Sequence, residues 1–146
     1  MDTAALVDRM VDSYNRHDLD ELGACYAPGA RINLGWPEDA DPAGWLAGFG
    51  QFLTSFPDLE VHPRNLAAGD RVAILEARLT GTNTGPVHLG DTERLLLGTT
   101  AEALPATGRA IDVAGTVVLE IDGGRVTAER HYWPAIDMLV QLGLVG

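Results

Sequence analysis

The chain has 146 residues, 21 of them acidic and 10 basic, for a formal charge of −11 at neutral pH. Such a field repels phosphate backbones and anionic lipid surfaces, which argues against nucleic-acid and membrane partners. All ten basic residues are arginine, so no lysine amine exists for Schiff-base chemistry, and the length suits one domain over 1–146 with its own core.

Taken in order, Asp2 or Thr3 can cap a first helix in which Leu6, Met10 and Tyr14 recur every four residues and Val7 and Val11 widen the apolar stripe. It ends near Asn15-Arg16-His17. Asp18 and Glu21 have capping-box spacing for a short second helix carrying Leu22, Cys25 and Tyr26, stopped by Ala27-Pro28-Gly29. Cys25 is the single cysteine; with no base beside it in sequence it reads as a buried, inert thiol, and no internal disulfide is possible. Together with the lack of a charged-then-apolar leader, this leads us to expect a cytoplasmic protein.

Ala30 to Leu34 is a short strand candidate leading to Trp36. Asp41-Pro42 then places a cap and a first-turn proline before a third helix, whose Trp45, Phe49, Phe52, Leu53 and Phe56 fall on one face up to Pro57. That stripe suits either helix-to-sheet core or the wall of an apolar cavity. Leu59 to Leu66 and Val72 to Thr84 read as a hairpin, with Leu75, Ala77 and Leu79 on a dry face and Glu76, Arg78 and Thr80 on a wet one.

Gly85 to Gly108 is rich in Gly, Thr and Pro and lacks a period, which predicts a lid or dimer contact with one helical turn near Thr92 to Leu97. His88 and Asp91 within it read as surface. Ile111 to Ile121 is the strongest strand. Asp122-Gly123-Gly124 turns the chain into a last strand, Arg125 to Trp133, and an apolar tail from Ala135 to Leu144 closes the domain.

The last strand organises the reading. Alternation puts Glu129, His131 and Trp133 on one face and Arg130 and Tyr132 on the other, so a carboxylate, an imidazole and an indole share a surface. No Walker loop, GxGxxG, nucleophile elbow, HExxH or CxxC occurs, and His17, His62, His88 and His131 show no paired ligand spacing. We expect no metal and no cofactor.

Phe56-Pro-Asp-Leu59, Gly69-Asp-Arg-Val-Ala73, Leu79-Thr-Gly-Thr-Asn-Thr-Gly85, Pro105-Ala-Thr-Gly-Arg109, Glu129-Arg-His-Tyr-Trp133 and Leu139-Val-Gln-Leu-Gly143 resemble the SnoaL-like polyketide cyclase family over nearly the whole chain. The resemblance implies a single α+β domain of the nuclear-transport-factor-2-like type, a cone-shaped, curved antiparallel sheet whose concave face is covered by N-terminal helices. It also implies an intramolecular aldol ring closure without a cofactor, in which a base in the cavity removes a proton between carbonyls.

The family's acid/base aspartate falls on His131 here, and its following aspartate on Pro134. The base then has to be imidazole, which titrates at about 6.5 in water and is well suited to neutral pH. The catalytic candidates are His131 and Glu129, the latter able to orient the ring or take the second proton. The substrate-binding candidates are Tyr14, Trp36, Trp45, Phe49, Phe52, Trp133 and Met138. Two alternatives stand beside the cyclase: a non-catalytic binder of an apolar small molecule, and an isomerase or epoxide hydrolase on the same fold. For the hydrolase, Arg78 and Asp112 would be needed in the cavity, whereas alternation puts both on wet faces. Apolar residues on both faces of the sheet, Val117-Val118 among them, predict a homodimer.

Overall fold

Capping carboxylates set the helix starts. In the computed structural model, which describes residues 2–35 and 37–146, Asp2 accepts from the Ala5 amide ahead of α1 (Thr3–Asn15). Asp18 accepts from Glu21 ahead of α2 (Leu19–Gly23), and Asp41 accepts from Gly44 ahead of α3 (Pro42–Ser55), with Pro42 in the first turn. Each cap satisfies an amide that the helix leaves without an internal partner.

The strands are β1 (Tyr26–Asn33), β2 (Glu60–Ala68), β3 (Val72–Thr82), β4 (Val87–His88), β5 (Ala103–Leu104), β6 (Ala110–Asp122) and β7 (Arg125–Tyr132). Two more helices are α4 (Asp91–Leu97) and α5 (Ala135–Gln141). Five strands form one sheet in the order β1-β7-β6-β3-β2, and β4 pairs with β5 separately.

Strands β2, β3, β6 and β7 form antiparallel neighbours, as the hairpins require, but β1 pairs with β7 in parallel. The expected curved antiparallel sheet is thus present, with one parallel pair at its β1 edge. The Val126 amide donates to the Cys25 carbonyl, so β1 begins at the end of the sheet where β7 begins, and no tight turn links the two. Ala27-Pro28-Gly29, expected to be a stop, lies inside β1, where the register shifts between Tyr26 and Arg31. Cys25 lies past the C-cap of α2 rather than on a helix; it is fully buried, and that burial pushes its thiol up.

One sheet face carries Ala73, Leu75, Ala77 and Leu79 of β3 with Ile111, Val113, Val117 and Leu119 of β6, and it joins Leu6, Val7 and Met10 of α1 and Trp45 and Phe49 of α3 in a single core. The other face is wetter, with Arg78 paired to Asp112 at 2.7 Å and Arg130 to Glu120 at 2.6 Å. The edge strand β2 is tied to α1 by the Asn15 amide, which donates to the Val61 carbonyl at 2.9 Å and accepts from the Val61 amide at 2.7 Å.

Most of the apolar tail forms α5. The Gln141 side chain accepts from the Asp112 amide at 2.7 Å and donates to its carbonyl at 3.1 Å, which seats the helix on β6.

The aperiodic stretch from 85 to 108 contains β4, α4 and β5, so the single expected helical turn is a two-turn helix. Its root is Asn83, 0% exposed. The Asn83 amide donates to the Ser55 and Gly85 carbonyls, and its oxygen accepts from the Thr107 amide and hydroxyl. Asn83→Ala leaves several buried groups without partners, so we expect a loss of about 2–4 kcal/mol. For a domain of this size that is a fall in Tm of roughly 5–15 °C, measured by calorimetry.

Candidate active site

A β-bulge turns the chemical face of β7 inward. Ile121 pairs with Val126, yet the next residue of β6, Glu120, pairs with Ala128, so one extra residue, Thr127, sits on β7 at that point. Val126 faces the core; strict alternation from it would send Ala128, Arg130 and Tyr132 inward. After the bulge, Leu119 opposes Glu129 and Val117 opposes His131, which puts the carboxylate and imidazole on the core face.

Glu129 is 3% exposed. The Tyr26 hydroxyl donates to it, lying 2.9 Å from Oε2 and 3.1 Å from Oε1, and His131 Nε2 lies 2.9 Å from Oε2. The Trp133 indole N–H donates to His131 Nδ1 at 3.1 Å. An indole nitrogen can only donate, so Nδ1 carries the lone pair and Nε2–H donates to the carboxylate. The chain Tyr26–Glu129–His131–Trp133 therefore fixes one tautomer of a neutral ring.

Trp133 lies just beyond the end of β7, flat over Gly115 of β6, where a side-chain Cβ would overlap the indole ring. Only a glycine leaves room for the ring that holds Nδ1.

The chain of hydrogen bonds forms part of the lining of a cavity of about 410 Å3 whose other walls are mainly apolar. Trp45 packs against the imidazole with ring centroids 5.3 Å apart, Phe49 stacks on Trp45 at 5.6 Å, and Tyr14 stacks on Phe49 at 4.2 Å. Phe52 and Met138 line the same space. Of the residues expected from sequence, His131, Glu129, Tyr14, Trp45, Phe49, Phe52, Trp133 and Met138 thus converge; Trp36 lies outside the described residues.

Tyr26 was missed because it precedes a segment read as a helix stop; its only sequence signal is an aromatic two residues before a proline. The rim residues Gln51, Gly90 and Glu93 were missed as well. Gly90 and Glu93 bring part of the aperiodic stretch to the cavity.

The other three histidines have ordinary partners. His17 meets the Leu59 carbonyl, His62 the Thr80 hydroxyl and His88 the Thr54 hydroxyl. Arg78 and Asp112 pair on the outer face, away from the cavity, which removes the footing for the epoxide-opening alternative. A second depression of about 390 Å3 lies between the start of α1 and two hairpin turns, with Asp2, Asp70 and Asp122 in its lining, and it brings no comparable chain together. Among the described residues no group of three or more His, Cys, Asp and Glu is placed to hold a metal ion, and no helix is long and apolar enough to cross a membrane.

Burial pushes the Tyr26 phenol well above its ordinary value, and the nearby Glu129 charge and hydrogen bond push it the same way. Burial and the Glu129 charge also raise the Tyr14 phenol. Both shifts favour the neutral ring in the folded chain.

The sequence matches a family model described as a SnoaL-like domain over residues 7–129. No curated protein matches it. Among solved structures it is similar to AclR from Streptomyces galilaeus, with a TM-score of 0.79, 20% identity, and 98% of this chain and 96% of that chain covered. TsrD from Streptomyces laurentii gives 0.78 at 22% identity, covering 99% of each chain. A SnoaL-like polyketide cyclase from Agrobacterium tumefaciens strain C58 gives 0.74 at 16% identity, covering 98% and 99%. At these identities the likeness is one of fold, an α+β cone.

A phenol whose pKa is raised on folding contributes stability that is complete below its unfolded value and is lost as pH rises through the folded one. Tyr14 and Tyr26 should therefore stay protonated where free tyrosine titrates, about pH 10. The chain should lose stability progressively above that pH. Tyrosinate absorbance recorded beside far-UV circular dichroism checks this: those two rings should ionise together with unfolding, not ahead of it.

Proposed function

The chain belongs to the SnoaL-like domain family, and from that premise we propose that it is an acid/base enzyme of the polyketide cyclase type, closing a ring by intramolecular aldol addition in an apolar carbonyl substrate. The observation that carries this reading is the hydrogen-bonded chain Tyr26–Glu129–His131–Trp133 on the wall of a cavity otherwise lined mainly by apolar side chains.

In this reading His131 Nδ1 takes the proton from the carbon between two carbonyls once the substrate displaces the Trp133 indole from that lone pair. The C–H electron pair is left in the enolate. The imidazolium is stabilised by the Glu129 carboxylate behind Nε2, and Tyr26 holds that carboxylate in place. The enolate carbon then attacks a further carbonyl of the same molecule, beyond the two that flank it, forming the ring bond and an alkoxide, and the proton on Nδ1 passes to that oxygen. Atoms balance with no other reactant.

A positioned base contributes roughly 10²–10⁴-fold, about 3–5 kcal/mol of barrier. Holding the two reacting carbons near attack distance is left to the aromatic wall of Tyr14, Trp45, Phe49 and Phe52.

Proton abstraction can be isolated by following deuterium exchange at the activated carbon of benzoylacetone. His131→Ala should remain folded by circular dichroism and lose roughly 10²-fold or more in the exchange rate; Glu129→Gln should also lose rate, because the imidazolium then lacks its counter-charge. Exchange by the wild type no faster than buffer would overturn the reading and leave a binder of apolar small molecules, whereas an undiminished rate in His131→Ala would overturn His131 as the base and turn to Glu129.

We also propose that the protein is a homodimer. The support is an apolar patch on the outer sheet face, where Ile74 and Val118 are register partners and Val72 is exposed nearby. Light scattering should give twice the 15.5 kDa chain mass, and Ile74→Lys should halve it.

A further inference from the structure

Among the described residues two buried side-chain polar atoms have no hydrogen-bond partner, Trp45 Nε1 and Glu93 Oε2, and both belong to residues lining the cavity. A buried polar atom without a partner is costly and rare, so each needs a physical reason. The indole of Trp45 stands over His131 and belongs to the site already described. Glu93 is on α4 and needs a separate explanation.

Helix capping does not supply one. Glu93 is the third residue of α4, where a carboxylate can reach back to the cap amide, but Oε2 makes no such bond. Nor does an ion pair, since the neighbouring Arg94 is engaged by Asp91. The carboxylate instead folds back over Gly90, where a Cβ would come within 2.8 Å of Oε2. Gly90 and Glu93 together line the cavity with Gln51 and Phe52 of α3. Gln51 and Phe52 lie six and seven residues along α3 from Trp45, the residue that touches His131, and so are roughly 10 Å away along the helix axis.

We propose that Glu93 is a specificity residue that accepts a hydrogen bond from a hydroxyl on the substrate, about two aromatic rings' length from the carbon that loses its proton. An ionised carboxylate only accepts, and the cavity is lined by Glu93 and Glu129 with no arginine. The ligand therefore presents a donor at this end and is not a free acid. The assignment rests on the reading of this cavity as the substrate site, and it refines that reading by naming the substrate's chemistry.

The test is calorimetric binding of para-phenylphenol and its methyl ether, which match in size and differ in the donor. The wild type should bind the phenol roughly tenfold or more tightly, as a hydrogen bond to a charged group implies. Glu93→Ala should remove the preference with little change for the ether. Gly90→Ala, which displaces the carboxylate without deleting it, should weaken the preference too. Equal binding by the wild type, or a preference that survives Glu93→Ala, overturns the proposal. Because binding is read instead of turnover, a wild type that fails to exchange deuterium while keeping the preference overturns the enzymatic reading alone.

Discussion

The structure is built around one buried carboxylate. Glu129 has 3% of its surface exposed, and a carboxylate in that position persists only if it is hydrogen-bonded on every accessible side. Tyr26 from β1 and His131 from β7 supply those bonds. Deleting one donor to a buried carboxylate costs about 1–3 kcal/mol or more, whereas an intact hydrogen bond to a charged group contributes only about 1.5–3 kcal/mol net. The group is better understood as a device for orienting an imidazole than as a support for the fold.

That need accounts for several irregularities that would otherwise be defects. The extra residue in β7 rotates Glu129 and His131 onto the core face. The parallel pairing of β1 with β7 brings Tyr26 beside Glu129 from the opposite side of the strand. The glycine at 115 clears the surface on which the Trp133 indole lies. Each feature locally weakens a regular sheet, and each ends in an atom of the same hydrogen-bonded chain.

The aromatic side of the cavity follows different physics. Trp45, Phe49 and Phe52 come from one helix at spacings of four and three residues, and their rings pack against Tyr14, His131 and Phe56. These contacts are largely non-directional, so helix periodicity is enough to place them. The stretch from 85 to 108 is attached chiefly through the buried Asn83 amide, and this attachment holds Gly90 and Glu93 at the rim.

What the sequence determined by itself is the local and periodic part: three capped helices, the long hairpin strands, the aromatic stripe of α3, and the shared face of Glu129, His131 and Trp133. All of these depend on neighbours within about four residues, where caps and periodicity act. The sequence did not reveal that Tyr26 would complete the site, for it is 103 positions from Glu129. Nor did it reveal that Trp133 would occupy the imidazole lone pair, or that β1 would run parallel to β7. Alternation from Val126 even points the wrong residues inward, because period-two counting cannot detect an inserted residue. Only the tertiary structure decided these, since each depends on which strand edge lies beside another and on the space left between their side chains.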